Sequence, residues 1–99
     1  MREGLISDAA VFQARRRQRP DLAEQWLAAL PVPTQFPWLR PRAEAAILEA
    51  QADVAGALSK LDECEMAIQR VSNLPLRAML LCLLQRWKSE LTSKRSSAL

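Results

Sequence analysis

AILEAQADVAGALSKLDECE, residues 46–65, admits two folds. Continued on both sides, its apolar positions Ala43, Ile47, Ala50, Val54, Ala57, Leu61, Cys64, Ile68 and Val71 advance in alternating steps of four and three, the seam of a packed helix. Taken alone, that seam predicts one continuous helix of about 30 residues, from a start at Pro41 to a stop at Asn73. The other reading breaks the chain at Ala52-Asp53. Asp53 suits a helix N-cap and Gly56 weakens any uninterrupted helix, so the same residues also form a hairpin of two antiparallel helices. Residues 42–72 are helical either way.

Outward from this segment, the rest of the chain also favours helix. Apolar residues make up 49% of the 99, and they are mostly Ala and Leu, which lose little rotamer freedom in a helix. In residues 1–30, Leu5, Ala9 and Phe12 recur at helical spacing behind Ser7 as N-cap, predicting a helix from Ser7 to about Gln18 that Pro20 ends. Asp21 and Glu24 form a D-x-x-E start, and Leu22, Trp26, Leu27 and Leu30 give a short second helix one apolar face before Pro31. The crossing PVPTQFPWLRP, residues 31–41, has four prolines and must run extended or polyproline-like; Phe36, Trp38 and Leu39 are apolar enough to pin it to its neighbours. After Asn73-Leu74-Pro75 a terminal helix covers 75–92, with Leu76, Leu80, Leu83, Leu84, Trp87 and Leu91 as its core face. Residues 93–99 read as a fraying polar tail. The expectation is a single all-α domain of about five helices, arranged as antiparallel helical hairpins.

Ala45, Leu48, Ala52-Asp53-Val54, Ala57, Leu61 and Cys64 resemble the small and large positions of a tetratricopeptide repeat (TPR-like) hairpin. The segment DAAVFQARRRQRPDLAEQWLAAL, residues 8–30, looks like a degenerate copy offset by 32 residues, sharing Ala14/Ala46, Asp21/Asp53 and Ala23/Ala55. The resemblance spans about residues 8–69. Ala52 stands where the family usually has glycine. It implies an α-solenoid fragment with a concave groove, lined by the first helix of each hairpin, that holds an extended or helical peptide.

The net charge of +3 is unevenly laid out: residues 1–42 sum to +3, 43–69 to −5 and 70–99 to +5. Internal pairing between segments therefore competes with any outside partner for the basic groups. In QARRRQRPD, residues 13–21, the side chains of Arg15, Arg16, Arg17 and Arg19 spread over about 200° of a helix, so they cannot all face one groove. Arg16 continues the Leu5, Ala9, Phe12 face, and Asp62, Glu63 and Glu65 are available as acidic partners. The chain has no histidine, no Gly-rich phosphate loop and no metal-ligand spacing around Cys64 and Cys82, which argues against catalysis, metals and cofactors. Two thiols in apolar surroundings suit a reducing, cytoplasmic setting, and the N-terminus has no signal-peptide h-region. The longest apolar run, Ala78 to Leu84, is far short of the roughly 20 residues of a membrane span.

These features predict a non-enzymatic protein–protein interaction or scaffold module, possible as a segment of a larger protein or one that associates with itself. The candidate partner-binding residues are Met79, Leu81 and Cys82, an apolar sector wider than the terminal helix needs for its own core, together with Arg15, Arg16, Arg17 and Arg19. Two alternatives remain from the residues alone. One is a small basic nucleic-acid-associated protein using the Arg15–Arg19 cluster with Arg40 and Arg42. The other is a dimerisation element built on the Ala43–Val71 seam.

Overall fold

The computed structural model describes residues 3–31 and 36–97, with side chains to Arg95. These residues form five helices and no strand: α1 (Glu3–Arg15), α2 (Pro20–Ala28), α3 (Leu39–Ala50), α4 (Val54–Ile68) and α5 (Leu74–Ser97). The fold is all-α. Residues 32–35 of the Pro-rich crossing and the last two residues of the expected tail lie outside the described part.

The segment from Ala46 to Glu65 is a hairpin. Ala52 takes a left-handed φ of 64°, and the chain closes α3 with Asp53 N–H on the Leu48 carbonyl and Ala52 N–H on the Glu49 carbonyl, the paired bonds of a Schellman stop. Asp53 then caps α4, its carboxylate accepting from Gly56 N–H at 2.9 Å. The four-three seam runs through the turn because each helix buries the same stripe against the other. Ala43, Ile47, Ala57, Leu61, Cys64 and Ile68 are buried, and Ala50, Val54 and Val71 half-buried.

Side-chain links fix the directions. Ser7 and Asp8 of α1 meet Leu39 and Arg42 of α3, and Arg15 meets Glu49. Glu49 in turn meets Trp87 and Lys94 of α5. With Leu80 and Leu84 of α5 beside Trp38 and Arg42 at the start of α3, helices α1, α3 and α5 run in one direction. Helix α2 seats on α1 and α3, and α4 on α3 and α5. The molecule measures 39 × 28 × 18 Å, and 18 Å is the thickness of two helix layers roughly 10 Å apart. Small residues permit this packing: Ala10, Ala14, Ala23, Ala43, Ala45, Ala46 and Ala57 are at most 1% exposed. Leu61, Ile68, Leu84, Trp87 and Leu91 fill the space between the layers. A second cluster of Ile6, Leu30 and Leu39, backed by Trp26 and Trp38, pins both ends of the crossing.

Several local expectations are corrected. Helix α1 begins at Glu3, so Ser7 is internal and buried; its hydroxyl donates to the Leu39 carbonyl at 3.2 Å and accepts from Arg42 Nη1 at 2.9 Å. The buried face of α1 is Ile6, Ala10 and Ala14, not Leu5, Ala9 and Phe12, because the alanines allow close approach while the larger side chains turn outward. Helix α1 ends at Arg15, and Gln18 takes a left-handed φ of 53°. Pro20 opens α2, where its missing N–H and fixed φ cost nothing. Asp21 is not a cap: Arg19 holds the N-cap position without a side-chain bond to the helix, and Asp21 pairs with Arg19. Pro41 falls in the first turn of α3, another tolerated position.

The expected frayed tail instead continues α5 to Ser97. No glycine or proline interrupts it, and Lys94 and Arg95 complement the carbonyl end of the helix dipole. Asn73 starts α5 by accepting from Leu76 N–H at 2.9 Å. Leu83, expected in the core, is 56% exposed, because α5 turns Leu84, Trp87 and Leu91 inward.

Candidate functional site

Three helices running in one direction leave a concave face, and α3 is its floor. A cleft of about 550 Å3 opens there, walled by Asp8, Val11, Phe12 and Arg15 of α1, by Arg16 just past its end, and by Glu90 and Lys94 of α5, over Arg42 and Glu49. Phe12 is 49% exposed at this wall.

Glu49 organises the charges. Its side chain is only 7% exposed, and its carboxylate accepts from Arg15 Nε at 2.9 Å, Trp87 Nε1 at 2.9 Å and Lys94 Nζ at 2.7 Å. Burial pushes its carboxyl up, but the hydrogen bonds from Lys94 and Trp87 and the charge of Arg15 outweigh that and hold it below its ordinary value. Arg15 also reaches Glu90 at 2.7 Å, and its guanidinium carbon lies 4.7 Å from the Trp87 ring centroid. Helices α1 and α5 have no close backbone approach to each other. Long side chains alone join them.

Toward the start of α3 the same face becomes apolar. A smaller cleft of about 70 Å3 is lined by Trp38, Arg42, Cys64, Ile68, Leu80, Leu83, Leu84 and Trp87. Arg42 borders both clefts, bound to Asp8 at 2.8 Å. The Cys64 thiol donates to the Trp38 carbonyl at 3.4 Å, and burial pushes it up to about 11 despite the nearby Arg42 and Lys88 charges. Such a thiol stays protonated near neutral pH and is a poor nucleophile.

The four arginines of the 13–21 run separate. Arg15 is bound into the Glu49 cluster, Arg16 borders the larger cleft, Arg17 is exposed, and Arg19 pairs with Asp21 at 2.9 Å. Arg16 and Arg17 make no ion pair among the described residues. The acids proposed for them are engaged elsewhere: Asp62 and Glu65 hold Lys88, and Glu63 holds Lys60. On α5, Met79 is 53% exposed and Cys82 exposed, whereas Leu81 is half-buried against the core. Met79 and Cys82 are absent from the lining of both clefts.

Sequence reasoning missed Glu49, Glu90, Lys94 and Phe12. One signal for Glu90 was present: it is the single acid among the last 30 residues, which carry six basic groups. Among the described residues no group of His, Cys, Asp and Glu could hold a metal ion, and no helix is long and apolar enough to cross a membrane. No family model, curated protein or solved structure matches the chain.

Proposed function

We propose that the chain is a non-enzymatic protein-interaction module, TPR-like in its plan, that holds a peptide along the concave face of α1, α3 and α5. The observation that carries this reading is the open cleft of about 550 Å3 with a half-exposed Phe12 on its wall and mixed charge along its floor. An apolar anchor beside fixed charges suits a peptide that supplies one apolar side chain and complementary polar groups. The scaffold is stiff where it matters, since Glu49 ties α3 to both walls. Both cysteines are unpaired, which supports a cytoplasmic setting.

The test is site-specific photocrosslinking in host lysate. A benzophenone side chain at position 12 faces the groove, and one at Gln25, exposed on α2, reports the other layer. Capture of discrete proteins from position 12 alone, unchanged by nuclease, is the expected result. Equal capture from both positions removes the groove as the site.

The nucleic-acid reading keeps one supporting observation, the unpaired Arg16 and Arg17. Two free cations correspond to a slope of only about −2 in log affinity against log salt on duplex DNA. A slope of that size or steeper, reduced by about 2 on replacing both arginines, favours that reading. Most of the Ala43–Val71 seam packs between α3 and α4, which leaves the dimerisation reading little surface there. Self-association would have to use another face.

A further inference from the structure

Arg15 is held by two carboxylates of unlike standing. Glu49 takes its Nε from beneath, with a side chain only 7% exposed and two further donors, Trp87 and Lys94. Glu90 takes its Nη2 at 2.7 Å from across the cleft, with a side chain 49% exposed and no other ion pair or side-chain hydrogen bond among the described residues. An exposed pair adds little to stability, whereas stripping a covered carboxylate of its partner is costly. Glu90 is therefore the partner that an incoming group can displace.

The lining selects the chemistry of that group. Four cations face the cleft, Arg15, Arg16, Arg42 and Lys94, while only two carboxylates stand exposed against them, Asp8 on Arg42 and Glu90 on Arg15. Arg16 makes no ion pair among the described residues, and departure of Glu90 frees the outer edge of Arg15 beside it. Phe12 and Val11 lie on the same wall within one turn. Adjacent guanidinium groups next to apolar side chains suit a carboxylate a residue or two away from an apolar anchor. A run of phosphates fits worse, because Asp8, Glu49 and Glu90 share the lining. Taking the groove as a peptide site, we propose that its partner is an acidic segment with an apolar side chain, and that Glu90 is a built-in competitor which the segment's carboxylate displaces from Arg15.

The probes are two acetylated and amidated peptides, Glu-Ala-Leu and Gln-Ala-Leu, which carry no terminal charge. Each is titrated into the full chain and followed by NMR through the Trp87 indole N–H, which sits at the junction with Glu49. The acidic peptide should bind about two- to fivefold more tightly than the neutral one. Glu90→Gln should tighten the acidic peptide by a similar factor and leave the neutral one unchanged. Loss of a merely structural contact would weaken both or alter neither. In an Arg15→Ala background Glu90→Gln should have no effect, which separates displacement at Arg15 from a general change in charge. Equal binding of both peptides, binding of neither, or the same gain from Glu90→Gln with and without Arg15 overturns the proposal. So does an oligonucleotide that binds more tightly than the acidic peptide. Photocrosslinking keeps the two readings apart. Unchanged capture from position 12 in Glu90→Gln leaves the groove as a peptide site and removes only the competitor, whereas equal capture from positions 12 and 25 removes the groove itself.

Discussion

Trp87 and Glu49 stand 38 residues apart in the chain and share a hydrogen bond of 2.9 Å, the indole donating to a carboxylate that Arg15 and Lys94 also hold. This junction fixes α5 to the rest of the concave face. Replacing Glu49 by Ala leaves three donors without their acceptor, two of them cations that water can partly re-solvate. The expected cost is about 1–3 kcal/mol in urea unfolding. Glu49→Gln keeps an acceptor for the indole and should cost about half as much. A loss under about 0.5 kcal/mol for Glu49→Ala would mean that apolar contacts alone hold α5.

The same carboxylate makes stability depend on pH, and the sign follows from its environment. Glu49 is held below its ordinary value of 4.5 in the fold, as is Glu65 through its hydrogen bond from Lys88. A depressed carboxyl stabilises the native state fully above the unfolded value and loses that contribution as pH falls through the folded one. Stability should therefore be flat from neutral pH to about 5.5 and decline below 4.5, with the advantage of wild type over Glu49→Gln shrinking across the same range. At the alkaline end burial lowers Lys88, but its bonds to Asp62 and Glu65 win and raise it above 10.5. Its contribution is present below that pH and lost above it. Acid and alkaline titrations followed by circular dichroism check both limbs.

The helical fold was legible because Ala-Leu content, prolines and the four-three seam all point the same way. The hairpin was legible only as one of two readings, since Asp53 capping and the seam are local signals that do not exclude each other. What decided between them is the left-handed backbone at Ala52, an unusual position for a residue with a Cβ. The face of α1 was misassigned for a related reason. Hydrophobicity ranks Leu5 and Phe12 above Ala10 and Ala14, whereas close helix packing selects the smaller side chains. A groove was expected only through the TPR resemblance. Its charged junction was not, because Arg15, Glu49 and Glu90 meet through tertiary geometry that no spacing encodes.

Within the arginine run, only Arg15 should matter for stability. Arg15→Ala removes two ion pairs and the stack on Trp87. With its side chain 30% exposed, solvent screening holds the expected loss to about 1–2 kcal/mol. Arg15→Lys keeps the charge without the planar fork and should recover less than half of it. Arg16→Ala and Arg17→Ala should stay within about 0.5 kcal/mol of wild type. Thermal melts of the four variants separate the structural arginine from those free to meet a partner. Equal losses at all positions would contradict the division.

The α3–α4 turn provides the most direct test of the hairpin. Ala52 at a φ of 64° carries a left-handed penalty of about 1–2 kcal/mol, and glycine there would remove it. Glycine also adds freedom to the unfolded chain, worth about 0.5–1 kcal/mol in the opposite direction. Ala52→Gly should therefore raise stability by about 0.5 kcal/mol. Asp53→Ala removes the cap and should cost about 1 kcal/mol. At Gly56 two effects oppose: alanine gains about 1 kcal/mol of helix propensity, but its Cβ would overlap the Asp53 carboxylate and displace the cap. Gly56→Ala should be near neutral in wild type and stabilising once Asp53 is already Ala, where nothing remains to displace. A rise in stability on Ala52→Gly together with that dependence of Gly56→Ala on Asp53 requires the turn at residues 51–53. In an uninterrupted helix, Ala52→Gly would instead cost about 1 kcal/mol, so the sign of that single change distinguishes the two folds.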